Sequence, residues 1–256
     1  MNGVFHIGAS GLQSQQRALE ITANNIANVN TAGFKRSEVR FAELVAGPST
    51  SIDAAGGAGA DPSQAMLGGV ALEGQRPVFG QGELKPTGAA SDLAIKGEGF
   101  IELLGPSGRT VLWRGGALRV NADGLLAADN GMPLKAMITV PLEAGALAID
   151  TGGQVRSTGQ DGEALGRIDL VRPRDMAGVS VLSDGLYAIA DETQLTASVA
   201  GEDGAGVLIQ GAIEASNVEL SAEMIALLMT QRAYAANAQI VQAGDQLMAI
   251  ANGLRR

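Results

Sequence analysis

The stretch ALEITANNIANVNTAGFKR (residues 18–36) decides the fold prediction for this chain. It begins as an amphipathic helix and then accumulates four asparagines before it reaches Gly33, Phe34 and two basic residues. Asparagine is a poor helix former because its amide competes for backbone hydrogen bonds. Glycine commonly ends helices. The stretch therefore predicts that a helix over residues 3–29 ends before Gly33 and carries an amide-rich face.

The first predicted helix has a narrow apolar seam. Its large side chains recur every seven residues, at Phe5, Leu12, Leu19 and Ile26. This spacing is typical of a coiled coil, whereas a globular surface helix has a broader apolar face. The helix is therefore expected to pack along one line against another helix.

A second heptad pattern lies at the other end of the chain and predicts a helix over residues 217–252. Ser216 or Asn217 is the predicted N-cap, and Gly253 is the predicted stop. Its apolar positions are Leu220, Leu227, Tyr234, Val241 and Met248. Since neither helix can bury its seam alone, the simplest prediction pairs the two termini.

Apolar residues also lie off the seams, for example Ile21 in the first helix and Ile225 and Leu228 in the second. They predict a second packing partner, which other copies of the chain could supply. Amides both donate and accept hydrogen bonds, so the asparagines could satisfy neighbouring copies in a packed interface. The alternative is a monomeric helical hairpin whose asparagine-rich face is solvated.

The sequence pattern between the two predicted helices is no longer helical. Residues 46–69 are rich in Gly, Ala, Ser and Pro, and residues 70–210 carry short strand patterns with turns such as NADG (121–124) and ADNG (128–131). The predicted fold class is α+β, with terminal helices that form a coiled-coil layer and an inserted all-β domain. The predicted domains are a terminal-helix domain (1–30 plus 216–256), a linker (31–80) and the β domain (81–215).

Composition disfavours several function classes. The net charge is −9, which disfavours nucleic-acid binding, and there are no cysteines and a single histidine, His6. A histidine-based triad or an ordinary zinc site is therefore hard to form from this chain. We expect no enzyme activity, no catalytic, metal-binding or cofactor-binding residues, and no small-molecule substrate. The first residues lack the basic segment of a cleaved signal peptide, so any export is expected to use another route.

Three separated motifs resemble one known family. ANNIANVNTAGFKR (23–36) and GAIEASNVELSAEMIALLMTQRAYAANAQIVQAGDQLM (211–248) resemble the terminal signatures of the flagellar axial proteins, which are the bacterial rod, hook and hook-associated subunits. GQGELKPTGAASDLAIKGEGFIEL (80–103) resembles a segment shared by the hook protein and the larger rod proteins. A secreted β-rich adhesin, the remote alternative, would not explain two heptad helices at the chain ends.

Within that family, the length and the run over residues 41–88 look most like the distal rod subunit. The alternatives are the proximal rod paralogue of similar size and a short hook protein. The chain departs from the family pattern at GEGFI (97–101) and LWRGG (112–116). Both departures lie in the predicted β domain, so they bear on subtype and turn geometry.

The resemblance implies a structural subunit that polymerises helically around a central export channel and transmits torque to the hook. Its implied partners are further copies of itself, proximal rod and hook subunits, the P-ring and L-ring bushing proteins and the flagellar type III export apparatus. The implied location is the basal body, from periplasm to outer membrane. The resemblance implies that the terminal-helix domain (1–30 plus 216–256) is a polymerisation domain. It also implies that the linker (31–80) is an extended arm, because residues 46–69 fall where larger family members carry one. The expected polymerisation interface comprises Phe5, Leu12, Leu19, Asn24, Asn25, Ile26, Asn28, Gly33, Phe34, Asn217, Leu220, Leu227, Gln231, Arg232, Tyr234, Asn237 and Val241.

Overall fold

The computed structural model of the chain describes residues 2–44, 69–141, 145–158, 162–182, 185–202 and 204–253. These residues form two compact units. The helical unit contains residues 2–26, 37–44, 69–75 and 220–253, and the β-rich unit contains residues 27–36 and the described part of 76–219. The chain therefore passes from one unit to the other four times.

The described residues contain two α-helices and seventeen β-strands, which confirms the α+β class. The helices are α1 (Asn2–Ala27) and α2 (Leu220–Gly253). The strands are β1 (Ser37–Leu44), β2 (Gly69–Pro77), β3 (Leu84–Pro86), β4 (Asp92–Lys96), β5 (Phe100–Leu104), β6 (Thr110–Trp113), β7 (Gly115–Val120), β8 (Leu126–Ala128), β9 (Leu147–Ile149), β10 (Gln154–Ser157), β11 (Ala164–Arg167), β12 (Leu170–Pro173), β13 (Val179–Val181), β14 (Leu186–Ile189), β15 (Leu195–Ser198), β16 (Val207–Gln210) and β17 (Ala212–Glu214).

Both helices lie close to their predicted positions. After α1 the chain turns, and Gly33 adopts a left-handed conformation (φ +69°) that disfavours other residues. The predicted N-cap of the second helix is wrong, because α2 begins at Leu220. The side chain of Asn217 instead accepts a hydrogen bond from the Arg36 N–H (2.7 Å) and donates one to the Val78 carbonyl (2.8 Å). Among the described residues, no helix is long and apolar enough to span a membrane.

The segment predicted as an arm (31–80) is divided between the two units. Residues 31–36 and 76–80 belong to the β-rich unit, while β1 and most of β2 pair in a two-stranded sheet of the helical unit. Residues 46–68, which carry most of the Gly, Ala, Ser and Pro pattern, lie outside the described residues. The role of that pattern as an arm stays a prediction.

The β-rich unit is built around a six-stranded antiparallel sheet in the order β13-β14-β6-β5-β12-β15. Alternate residues of its strands enter two separate cores. Ile101 and Trp113 lie in the larger core, whereas Phe100, Leu112 and Tyr187 lie in the smaller core on the opposite face. This sheet is therefore buried on both sides.

The remaining sheets complete the β-rich unit. A four-stranded sheet has the order β16-β4-β7-β8, a three-stranded sheet has the order β11-β10-β9, and β17 pairs with β3. The predicted NADG turn connects β7 to β8, where the Asn121 side chain accepts hydrogen bonds from the Asp123 and Leu125 N–H groups. The ADNG segment also turns, with the Gly131 N–H donating to the Ala128 carbonyl. Both turn predictions are confirmed.

Candidate assembly surface

Helices α1 and α2 approach each other through small residues in the helical unit. A methyl group added at Gly8 would lie 2.5 Å from Val241 Cγ2, and one added at Gly11 would lie 3.1 Å from Asn237 Nδ2. The partner number falls as the α1 number rises, so the two helices run antiparallel. Glycine at these two positions permits the close approach.

Asn25, one of the amides in the opening stretch, is 1% exposed. Its Nδ2 donates to Glu223 Oε2 (3.2 Å) and to the Ser37 carbonyl (2.9 Å), and its Oδ1 accepts from the Ser37 N–H (2.9 Å). One amide thereby joins α1, α2 and the start of β1. The side-chain amide of Asn25 therefore forms its hydrogen bonds within the subunit.

The most buried stripe of α1 differs from the predicted seam. It runs through Ser14, Ala18, Thr22 and Asn25, with Ile21 beside it. The predicted seam residues whose side chains are described are only half-buried; they are Leu12, Leu19 and Ile26. Small side chains let the helix backbone approach its neighbours closely, and this leaves Leu12, Leu19 and Ile26 at the border of the contact.

Helix α2 presents a second apolar line, which we call the outer stripe. It comprises Ile225, Met229, Ala236, Ile240, Ala243 and Leu247, at intervals of four, seven, four, three and four residues. All six are exposed, and the four large side chains are between 53% and 67% exposed. The intervals place them on one side of a helix with 3.6 residues per turn. A contiguous exposed apolar line of this kind marks an interaction surface.

A polar stripe lies beside the outer stripe on α2. It comprises Arg232, Gln239, Gln242 and Gln246, and all four are exposed. The two stripes differ in polarity, and the polar stripe (residues 232–246) runs alongside part of the outer stripe (residues 225–247). They therefore offer matched positions for testing which side of α2 contacts a partner.

The β-rich unit contains a buried group of charged side chains, which we call the ionic cluster: Lys35, Arg114 and Glu214. Lys35 Nζ lies 2.6 Å from Glu214 Oε1, and Arg114 Nε lies 3.1 Å from Glu214 Oε2. Their exposed fractions are 0%, 4% and 2%, respectively. Arg114 also donates to the Gly99 (2.6 Å) and Gly97 (3.0 Å) carbonyls. Burial lowers the pKa of Lys35, although Glu214 opposes this shift.

Tyr187 lies beside the ionic cluster. Its hydroxyl donates to the Gly33 carbonyl (2.9 Å), and its ring meets those of Phe79 and Phe100 edge-on, with centroids 5.4 and 5.7 Å away. The Arg114 guanidinium lies 5.6 Å from the centre of the Phe100 ring. Burial raises the pKa of the Tyr187 hydroxyl, because the charged form loses solvation.

The predicted interface residues fall into distinct environments. Gly33 and Phe34 are buried in the β-rich unit, and Asn28 and Asn217 are partly buried there. Leu227, Asn237 and Val241 are partly buried in the helical unit, and Asn24, Leu220, Gln231, Arg232 and Tyr234 are exposed. Phe5 lies in α1, and its side chain is outside the described part. A role in contacts between copies stays a prediction for all of them.

The ionic cluster was not predicted from the sequence, and the outer stripe was indicated only by the off-seam residue Ile225. Lys35 and Glu214 each lie within a quoted terminal motif, and Arg114 lies in the departure LWRGG. The presence of these charged residues in the motifs was the signal that the sequence offered. Among the described side chains, no group of three His, Asp or Glu residues could hold a metal ion.

Three family models match separate parts of the chain. Residues 5–35 match the model described as flagella basal body rod protein. Residues 94–157 match the flagellar hook protein FlgE/F/G D1 domain, and residues 209–254 match the flagellar basal body rod FlgEFG protein C-terminal model. The first and last matches contain Lys35 and Glu214, and the middle match contains Arg114.

Curated relatives match almost the whole chain. The flagellar basal-body rod protein FlgG of Caulobacter vibrioides is 34% identical, over 96% of this chain and 97% of its own length. FlgG of Borreliella burgdorferi is 31% identical, over 97% of each chain. The flagellar basal-body rod protein FlgF of Caulobacter vibrioides is 32% identical, over 94% of this chain and 93% of its own.

Proposed function

The chain belongs to the flagellar basal-body rod protein family, and from this premise we propose that it polymerises into the distal rod, the drive shaft that transmits torque to the hook. The observation that carries polymerisation is the outer stripe of α2. The role is structural, and motility depends on it through the rod. The terminal helices form a coiled-coil layer of the polymer.

The outer stripe has the size needed to drive association. Burying a fully exposed large aliphatic side chain contributes about 1.5 to 3 kcal/mol. Since the four large side chains are 53% to 67% exposed, covering them contributes about 4 to 7 kcal/mol before the costs of ordering and association. A neighbouring copy covers the stripe through a surface other than its own outer stripe. Such a heterologous contact extends into a helical polymer when its rotation does not close a ring.

The partners follow from this assembly. Further copies cover the outer stripe, proximal rod and hook subunits continue the axis at its two ends, and the P-ring and L-ring surround it. The type III export apparatus delivers the subunit to a basal body that spans the periplasm and the outer membrane. Residues 46–69 serve as an arm toward a neighbouring subunit.

A rod subunit from the paralogous group of similar length is the alternative. It is favoured by the FlgF relative, whose identity to this chain is close to that of FlgG from the same organism. Deleting the gene and imaging purified basal bodies by electron microscopy tests the assignment. We expect a rod stub without outer rings or hook. A complete rod with rings but no hook would indicate a short hook protein, and a normal flagellum would overturn the proposal.

Complementation with stripe variants tests the polymerisation surface. Replacing Ile240 and Leu247 with Glu adds two charges, seven residues apart, to the outer stripe. The matched control replaces Gln239 and Gln246 with Glu in the polar stripe, at the same spacing. We expect the first pair to abolish rod assembly and swimming and the second to retain both. Normal rods with the first pair would remove the outer stripe from the interface.

A further inference from the structure

We propose that neighbouring copies of the chain join head to tail through their β-rich units, with Arg109 of one copy seated in an acidic groove of the next. This inference rests on the proposed polymerisation and adds a charged contact to the apolar one at the outer stripe. The acidic groove is a surface cleft of about 520 Å³ whose lining includes Asp92, Trp113, Gly116, Ala117 and Asp129.

The two carboxylates of the groove lie on either side of β7. Asp92 in β4 is the cross-strand neighbour of Ala117, and the Asp129 N–H donates to the Ala117 carbonyl from the other side (2.9 Å). Because adjacent strands are about 4.8 Å apart, the backbones that carry the two carboxylates are about 10 Å apart. The floor between them consists of Gly116 and Ala117, which leave room for a cationic group.

The indole N–H of Trp113 is an unused donor in the groove. Trp113 is 5% exposed, and its Nε1 donates to no acceptor among the described residues. The edge of the indole that carries Nε1 faces Gly116, where an added methyl group would lie 3.1 Å from Cζ2 and 3.8 Å from Nε1. A nearly buried donor without an acceptor is costly. The groove is therefore suited to a partner that brings a carbonyl together with a cation.

A loop that brings both groups lies at the other end of β6. This loop, which we call the hairpin tip, comprises residues 105–109 and connects β5 to β6. It is closed by the Gly105 N–H, which donates to the Arg109 carbonyl (2.8 Å). The Arg109 side chain is exposed and forms no ion pair with any described residue. The hairpin tip thus presents a guanidinium beside backbone carbonyls.

The hairpin tip and the acidic groove are too far apart to meet within one subunit. Arg109 precedes β6 and Trp113 ends it, so about 13 Å of extended strand separates them, which is longer than an arginine side chain. A contact between the two surfaces therefore joins different copies. It is heterologous, and it leaves each end of a chain of copies with one unused surface, so it can repeat along a polymer.

Charge exchange tests the contact through the critical concentration for polymerisation of the purified chain, measured by sedimentation. Asp129→Arg and Arg109→Asp should each raise this concentration on the order of 10-fold, because each places like charges against one another. The double variant exchanges the two charges and keeps the net charge at −9 + 2 − 2 = −9. It should return to within about 3-fold of the natural chain.

Matched controls change the same charges elsewhere on the β-rich unit. Asp123→Arg and Lys96→Asp lie at exposed positions and alter the net charge equally. They should keep the critical concentration within about 3-fold of that of the natural chain. Single exchanges that behave like these controls, or a double variant as impaired as the single ones, would overturn the contact while the natural chain still polymerises. A natural chain that forms no polymer would instead overturn the proposed polymerisation, and this contact with it.

Crosslinking decides the matter if a charge exchange impairs folding. The chain has no cysteine, so Arg109→Cys and Asp129→Cys can be placed in separate copies that are mixed, polymerised and treated with a short bismaleimide. We expect a crosslinked dimer from this mixture and none from a mixture of Lys96→Cys and Asp129→Cys copies. Polymers of the first mixture that yield no dimer would overturn the proposal.

Discussion

The hydroxyl of Tyr187 connects one buried hydrogen bond to the pH dependence of stability. Its pKa is raised in the folded chain, whereas an unfolded tyrosine has a pKa of about 10. Between those two values the folded state keeps a proton that the unfolded state has lost. The stability that this group contributes is therefore fully present below pH ~10 and falls by about 1.4 kcal/mol per pH unit above it.

The loss of unfolding free energy caused by replacing Tyr187 with Phe should depend on pH. At pH ~8 the variant loses the bond to the Gly33 carbonyl, which costs about 1 kcal/mol. Toward pH ~11 this deficit should shrink, because the variant has no phenol that ionises on unfolding. Urea unfolding followed by the fluorescence of the single, buried Trp113 measures both. The same difference in unfolding free energy between the natural chain and the variant at both pH values would contradict the raised pKa of Tyr187.

Asn25 should matter far more than the neighbouring amide. Asn25→Ala leaves the Ser37 backbone groups and Glu223 without their bonds to this amide, which should cost about 2 to 4 kcal/mol. The matched change Asn24→Ala, at an exposed position, should cost under about 1 kcal/mol. Thermal unfolding of the helices by circular dichroism at 222 nm compares them. Equal losses would show that Asn25 does not hold α1 against α2 and β1.

At the scale of elements, the contact between Gly8 and Val241 predicts a measurable coupling. Gly8→Ala places a methyl group against a stiff β-branched side chain, which should cost about 1 to 3 kcal/mol, partly offset by about 1 kcal/mol of helix propensity. Val241→Ala removes the clash. In a double-mutant cycle by helix melting, the double variant should therefore be more stable than the two single effects predict. Additive effects would mean that α1 and α2 are not held in contact at Gly8 and Val241.

The sequence predicted both helices but not the stripe by which they pack. Heptad spacing identifies large apolar residues such as Leu12 and Leu19, and these lie at the border of the contact. The buried line consists of Ser14, Ala18 and Thr22, whose residue types carry no strong periodic signal. The off-seam residue Ile225 indicated a second partner, and it lies in the outer stripe.

Strand pairing and the ionic cluster depend on contacts between distant parts of the chain. In the six-stranded sheet, β5 pairs with β12 and β6 pairs with β14, and no local pattern specifies such partners. Turn residues, in contrast, act locally, and so the NADG hairpin was predictable from four residues. Lys35 and Glu214 lie in separate motifs, and only the folded chain brings them together.

At the scale of the whole molecule, the net charge of −9 opposes the assembly that the outer stripe favours. Each copy brings the same excess of negative charge to the polymer, and the repulsion between copies is screened by salt. The Debye length falls from ~30 Å at ~10 mM to ~8 Å at ~150 mM ionic strength. The critical concentration for polymerisation of the purified chain, measured by sedimentation, should therefore fall several-fold as NaCl is raised over this range.

A variant of lower charge provides the control. Replacing Glu163 and Glu202 with Gln, both exposed, removes two of the nine net negative charges and gives −9 + 2 = −7. Because repulsion grows with the product of the charges, this variant should polymerise at a lower concentration in ~10 mM salt and respond less to added NaCl. A critical concentration that rises with salt would mean that ion pairs between neighbouring copies outweigh their overall repulsion.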